Sequence, residues 1–531
     1  MSNIFRLKGL VVGLGLAIGS LACAATPAGA KVVAHAAALH TGDTVTGPMS
    51  LTAPMRISVS LQLRNQAQLQ AFIANPRHPN LTPAQFTAQY GPSEADANAV
   101  AAWLTQHGFS HVTISSNRLL VFATAPAAAV QSAFHTSMER VHTHGGRNAF
   151  ANASDAMVPA SLHGVSGVLG LQTVHVPHLF GHVMKGKPGG GGGGSIIGHN
   201  PTRFPSIYGG TSLPTAAGVT VGIISNGDLS QTLSDLDTFT SQNGLATVTT
   251  QIVNTGGTGT DTSGTAEWDL DSQDIVGMGG GQIGKITFYN IPTLANSSMV
   301  DDFNTVVQAN VAKVINVSLG ECETSAQGDG SAAAADAIFQ QADAQGQTFS
   351  VSSGDSGSNE CGKGGPRGAT PSWPASSPYV VAVGGTTLNA TTSTWQGEAA
   401  WSGTGGSPST FEPMPSWQVG VGQNAGHTTR GVPDIAFDAD PNSGAIIIVD
   451  GGPQQWGGTS LSSPLFVGFW ARMIAAKGTG IGFAAPKLYQ LPASAFHDVT
   501  SGSNGAESAA PGWDYTTGFG SIVMSQAAAS L

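Results

Sequence analysis

The segment GGTSLSSP (457–464) has the make-up of a tight turn that opens a helix and presents a nucleophilic serine, Ser460. Gly457 and Gly458 permit the turn, and amides exposed at a helix start favour developing negative charge. Pro464 falls in the opening region of that helix, where its missing N–H does least harm. A serine hydroxyl is a weak nucleophile until a base removes its proton. The usual base is absent where it is needed. All but three of the 15 histidines lie before residue 199, and His199, His427 and His497 lack the helical, Gly-flanked setting of a Ser-His-Asp hydrolase.

Acids stand in its place. EWDLD (267–271) puts Glu267 and Asp271 four residues apart, so a helix carries them on one face. Glu267 can accept the Ser460 proton and Asp271 can hydrogen-bond to Glu267. Two carboxylates that close resist ionising together, so the pair should share a proton and titrate jointly. A free glutamate has a pKa of ~4.3, so such a base suits a pH of about 3–5. Asp274 lies on the same face and could replace Asp271, whereas Asp269 points elsewhere. The third acid is Asp355, in VSSGDSGS (351–358). Acyl transfer needs a donor for the oxyanion of the tetrahedral intermediate, and a protonated aspartic acid can donate in acid but not at neutral pH. Each feature also has a plain reading: a helix N-cap serine, a solvated acidic helix face, a turn aspartate.

The elements that must hold these groups follow from hydrophobic patterning. Residues 219–225, 285–291, 314–320, 348–354 and 379–385 read as strands, and 230–243, 265–278, 299–312, 331–345 and 460–476 as helices. Alternation of this kind predicts an α/β fold with a parallel sheet covered on both faces, whose catalytic loops gather at the strands' carboxyl ends. Asp355 leaves a strand at that end. Upstream, residues 50–180 read as a small α+β domain, with a strand over 55–63, helices over 65–75, 95–108 and 127–135, a helix opening at Thr82-Pro83, and a hairpin over 111–125.

KGKPGGGGGGS (185–195) separates the two parts as an accessible, Gly-rich linker. The chain starts with Arg6 and Lys8, an apolar run from Leu10 to Leu21 too short to span a bilayer, and ACAA (22–25), which together read as a secretory signal. Without it, Cys322 and Cys361 are the remaining cysteines. In an exported protein they suggest one disulfide, the alternative being two unrelated buried thiols. The net charge of −11 hides an asymmetry: 11 Lys and Arg against 5 Asp and Glu before residue 199, and 9 against 26 after it. A cationic front and an anionic back attract near neutral pH, and acid weakens that attraction.

Taken together, TAEWDLDSQDIVG, VINVSLG, FSVSSGDSGS, SWPASSPYVVAVGGT, GVPDIAFDADP and GGTSLSSP resemble, in order and spacing, the sedolisins, the serine-carboxyl peptidases, and most nearly their bacterial members. LTPAQFTAQYGPS and VAAWLTQHGF resemble that family's activation prodomain. The resemblance implies a subtilisin-like doubly wound parallel sheet behind a ferredoxin-like prodomain. It implies Ser460 as nucleophile, Glu267 as general base, Asp271 as its orienting partner and Asp355 in the oxyanion hole. FHDVTSGSNG and PGWDYTTGFG imply one structural Ca²⁺ site, with carboxylates from Asp498 and Asp514 and carbonyls from Val499, Ala510 and Gly512. It also implies that Cys322 and Cys361 pair. Two positions depart from the family pattern: Ala510 stands where relatives have Gly, and Glu321 where many have Trp.

The expected protein is a secreted, monomeric zymogen: signal 1–25, prodomain 26–184, linker with processing site 185–198, peptidase 199–531. Its own prodomain inhibits it, and it cuts peptides in acid through an acyl-enzyme, without nucleic acid or, once the signal is gone, membrane as partner. The rivals are a neutral subtilisin-type peptidase using His427, a pepsin-like aspartic enzyme, and a secreted calcium-binding protein with an inactive peptidase fold.

Overall fold

The computed structural model describes residues 29–184, 198–362, 368–477 and 481–531. The signal segment (1–25) and the linker residues 185–197 lie outside them. Among the described residues no helix is long and apolar enough to cross a membrane.

The second half is built on an eight-stranded sheet. Its strands run in the order Thr250–Asn254, Ile283–Ile291, Ala216–Asn226, Val314–Val317, Thr348–Ser352, Val381–Ala390 and Trp395–Ala400, with Ile435–Asp438 also pairing with Val381–Ala390. Every pairing is parallel except that of Trp395–Ala400. The strands are near-continuous Val/Ile runs because both faces are covered. Helices Ser230–Gln242, Thr265–Met278 and Thr459–Lys477 pack together, and Asn296–Ala309 and Ser331–Ala344 form a second pair. This is the expected α/β architecture.

Two boundaries differ from expectation, each for a local reason. The strand expected over 314–320 stops at Val317. Ser318 then turns the chain, and Leu319–Cys322 leaves the sheet to pair with Ser372–Trp373 and with residues from the front half. Pro464 lies well inside the helix Thr459–Lys477 rather than in its opening turn. It therefore removes the i→i−4 bond to the Ser460 carbonyl, at the cost a mid-helix proline carries.

The front half carries an antiparallel sheet, in the order Ser110–Ile114, Leu120–Pro126, Pro54–Leu61, Val165–Leu169. Helices Gln66–Ile73, Pro83–Gln89 and Glu94–Gln106 follow its first strand, and Ala127–Phe134 precedes its last. That is the β-α-β-β-α-β order of a ferredoxin-like fold. Thr82 caps the helix at Pro83 by accepting the Gln85 amide, and its own backbone N–H donates back to Gln85 Oε1.

The front-half sheet and its first helices dock on Asn296–Ala309 and Ser331–Ala344. Leu69, Ile73, Phe86 and Leu120 join the core cluster of the second half. Buried amides bridge the seam: Asn117 Nδ2 donates to Asn304 Oδ1 at 2.7 Å and to Gln341 Oε1 at 2.8 Å. The opposite charges of the two halves meet at few points, chiefly Arg56 on buried Asp301 and two histidine–carboxylate pairs described below.

Candidate active site

The helix Thr265–Met278 starts at Gly264 and is enclosed almost completely, from Glu267 to Met278. This excludes the reading of EWDLD as a solvated acidic face. Glu267 Oε2 accepts the Gly181 amide at 2.7 Å, and Asp271 Oδ1 accepts the Ser318 hydroxyl at 2.6 Å. Burial, then the neighbouring Asp271 charge, hold Glu267 well above the usual carboxylate range, while the Ser460 hydroxyl beside it acts in the opposite direction. Burial likewise raises Asp271. Glu267 Oε1 and Asp271 Oδ2 are buried without a hydrogen-bond partner. The two charges oppose each other, so the first proton taken up by either carboxyl relieves that repulsion.

Asp269 faces away, toward Asp235, and burial pushes it up to about 9. Asp274 faces Asp438, and burial raises it as well.

Ser460 is buried in the first turn of Thr459–Lys477, and its Oγ donates to the Ser318 carbonyl at 3.3 Å. The turn before it needs glycine. Gly458 has φ +106°, and a β-carbon there would fall 1.8 Å from the Phe180 carbonyl oxygen and 2.6 Å from Asp355 Oδ2. Asp355 follows the strand Thr348–Ser352. Its Oδ1 is taken up by Thr459, from the amide at 2.8 Å and the hydroxyl at 2.7 Å. Its Oδ2 lies 3.0 Å from His182 Nε2. Burial raises Asp355, and the contacts from His182 and Thr459 partly offset it. The structure thus brings Ser460, Glu267, Asp271 and Asp355 to one site. His427 lies elsewhere, packed on Tyr515 and beside Glu507.

A segment of the front half runs through this site as an extended strand. His178 and Leu179 pair antiparallel with Gly320 and Leu319, and His182 and Val183 with Gly457 and Trp456. Between these pairings, Phe180 is fully buried, and its carbonyl oxygen and Asp355 Oδ2 approach the same point above Gly458. Gly181 sits against the base, where a β-carbon would come within 2.4 Å of Glu267 Oε2. His178 Nε2 is 2.9 Å from Glu360 Oε1.

Sequence reasoning missed this segment, along with Ser318 and His182. FGHV carries no motif, and its partners are more than 130 residues away in sequence. The one signal available was its place immediately before the linker.

Cys322 and Cys361 form a disulfide. It joins the strand that pairs with Leu179 to the loop that bears Asp355. Glu321 is buried near it and accepts a bond from Asn296 Nδ2 at 2.6 Å.

The expected calcium ligands lie in one C-terminal loop system. Asp498 Oδ2 accepts the Gly512 amide at 2.9 Å and Asp514 Oδ2 the Ala510 amide at 2.9 Å, so both carboxylates are tied to the turn 510–512. Val499 is buried beside Asp498. Burial raises the Asp514 carboxyl, opposed by bonds from Thr516, Ala510 and Thr517. The two carboxylates brought to this turn are oxygen donors of the kind a hard cation such as Ca²⁺ takes.

Residues 41–174 match the model of the pro-kumamolisin activation domain, and residues 218–513 that of the subtilase family. Sedolisin of Pseudomonas sp. (strain 101) is 45% identical over 90% of this chain and 86% of its own length. The chain belongs to the sedolisin family. Xanthomonalisin of Xanthomonas sp. (strain T-22) is 43% identical over 88% of the chain, which spans 64% of that relative. A solved Pseudomonas sedolisin, a serine-carboxyl proteinase complexed with pseudo-iodotyrostatin, superposes with a TM-score of 0.60 at 49% identity, covering 63% of this chain and 98% of its own. This chain is therefore a sedolisin-type serine peptidase with an activation prodomain on a subtilisin-like α/β fold.

Proposed function

We propose that this sedolisin-family chain is a secreted, acid-active endopeptidase made as a zymogen that processes itself. The observation that carries the reading is the chain's own segment 178–183, which lies as an extended peptide against Glu267 and Asp355 and over Gly458, two residues before Ser460. A foreign peptide would take the same path. Ser460 Oγ attacks the peptide carbonyl carbon and passes its proton to Glu267. Asp271, held by Ser318, keeps Glu267 in position and shares its charge. The carbonyl oxygen becomes an oxyanion above Gly458, where a proton on Asp355 Oδ2 donates to it. Glu267 returns its proton to the leaving nitrogen, the C–N bond breaks, and water then hydrolyses the serine ester.

The raised pKa of Asp355 supports a protonated donor in acid, while the raised values of Glu267 and Asp271 work against a charged base there and set how far into acid the enzyme can run. Asp355 can donate only while protonated, so activity should fall as the pH rises through its folded pKa. The acid limb is set by the Glu267–Asp271 pair, which must keep one negative charge.

The prodomain (26–184) both assists folding and fills the groove, and the finished enzyme begins after a cut in the linker region 185–198. Asp498 and Asp514, with the carbonyls of Val499, Ala510 and Gly512, would hold one Ca²⁺, whose role is to fix the C-terminal loops. The deciding experiment is Ser460→Ala in the full-length chain. At about pH 4 it should keep its full mass and cut no peptide, and normal self-processing would reject the nucleophile.

A further inference from the structure

We propose that His182 is a detachable brake: it occupies the oxyanion acid while the Phe180–Gly181 bond lies across Ser460, so that the chain's first self-cut, at that bond, waits for stronger acid than later substrates need.

The geometry has two parts. First, the register identifies the bond. Pairing of residues 178–179 with 319–320 ends just before Phe180, and pairing of 182–183 with 456–457 begins just after Gly181. Phe180 is the residue whose carbonyl oxygen approaches Asp355 Oδ2 over Gly458, and Gly181 the residue whose amide reaches Glu267. The nitrogen that must receive the base's proton on bond breaking is therefore already on the base. Ser460 Oγ adds to the Phe180 carbonyl carbon and its proton goes to Glu267. The Phe180–Gly181 bond then breaks with that proton delivered to the Gly181 nitrogen. Water releases Phe180 from Ser460 as a carboxylate.

Second, one contact works against this bond. Thr459 saturates Asp355 Oδ1, so only Oδ2 can carry the proton the oxyanion needs. Oδ2 is the atom His182 faces, at 3.0 Å. A neutral imidazole N–H stabilises ionised Asp355, and an imidazolium stabilises it more. His182 Nε2 faces Asp355 Oδ2, its backbone pairs with Gly457, and Glu267 lies against the neighbouring Gly181. Glu360, on the same loop as Asp355, pairs with His178.

The sign follows. His182 lowers the Asp355 pKa, so protonated Asp355, the competent form, appears at lower pH than it would alone. The cut separates 178–180 from 181–184. His182 leaves on the amine side, and Asp355 regains the higher pKa that its burial dictates. This inference rests on the peptidase reading above.

The experiment follows self-processing of the full-length chain across pH, with intact mass and the new N-terminus read at the earliest times. His182→Ala should move the half-processing pH up by roughly one unit, the scale of one half-exposed charged neighbour, with Gly181 as the first new N-terminus. His182→Arg, a permanent cation, should hold the midpoint or lower it. If His182 served only to seat the strand, His182→Ala would slow processing at every pH. That result, an unmoved midpoint, or a first N-terminus other than Gly181 would each overturn the proposal. Enzyme processed from either variant lacks residue 182 and should show the unmodified pH profile on an unrelated peptide. Inactivity of that enzyme at every pH would instead reject the peptidase reading.

Discussion

The two halves of this chain bury titratable groups of opposite response. In the peptidase half they are carboxyls: Asp269 is pushed to about 9 and Asp302 to about 8 by burial, and Asp274, Asp343 and Asp438 are raised for the same reason. In the prodomain they are histidines, which the peptidase half also holds beside its many carboxyls: burial lowers His199 and takes His497 to about 4. Burial lowers His175, with His40 adding to the effect, and burial lowers His78, with Lys487 of the peptidase half adding to it. A buried carboxyl becomes neutral and comfortable in acid, whereas a buried imidazole must charge. One molecule is thus built from a part that acid suits and a part that acid strains, and the site lies where they meet.

The largest test of that contrast is Glu267→Gln, which removes the titrating base and keeps its shape. Hydrolysis of a peptide at acid pH should fall roughly 10³-fold or more, as for loss of a base that acts as a unit with its nucleophile. A loss under tenfold would make the acid cluster structural rather than chemical. Next is Asp355→Asn. The rate at the acid optimum should drop about 10²-fold, the usual value of one oxyanion donor. Because an amide donates at any pH, the alkaline limb should also move to higher pH. An alkaline limb that stays in place would assign it to another group.

Stability sharpens the contrast further. Carboxyls with raised folded pKa values contribute stability that is complete below their unfolded value of ~3.9 and is lost as pH rises toward the folded value, by at most ~1.4 kcal/mol per unit for each group. For Asp269 and Asp302 the window runs from about pH 4 up to about 9 and about 8. For histidines with lowered pKa the sign reverses, and stability is lost as pH falls below ~6.5. Calorimetry of the full-length Ser460→Ala chain should therefore show the peptidase transition several degrees higher at pH 4 than at pH 8, and the prodomain transition lower. Parallel movement would end the comparison. The smallest effect concerns the C-terminal loops, which neither class of buried group governs. Added Ca²⁺ should raise the peptidase transition by a few degrees, and Asp498→Asn should abolish the gain. An equal gain in the variant would remove Asp498 from the ligand set.

Most of the peptidase half was legible in its sequence. Strands buried on both faces announce themselves as apolar runs, and Glu267, Asp271 and Asp355 are placed by a four-residue helical spacing and a strand end. What escaped has a common cause. The role of segment 178–183 depends on pairings with residues far along the chain, and nothing in HLFGHV itself encodes its partners. The same holds for Ser318, whose turn out of the sheet ends an apolar run early. Pro464 misled because a proline near a helix start reads as an opening residue, while the turn Gly457–Gly458 begins the helix several residues sooner. The charge asymmetry was real, yet the docked surfaces are joined mainly by apolar side chains and neutral amides.

The Cys322–Cys361 bond has a consequence for traffic through the groove. It fastens the strand facing Leu179 to the loop that holds Asp355. These two pieces cannot drift apart, so a guest that lines up along the strand meets the Asp355 carboxyl at a fixed spacing.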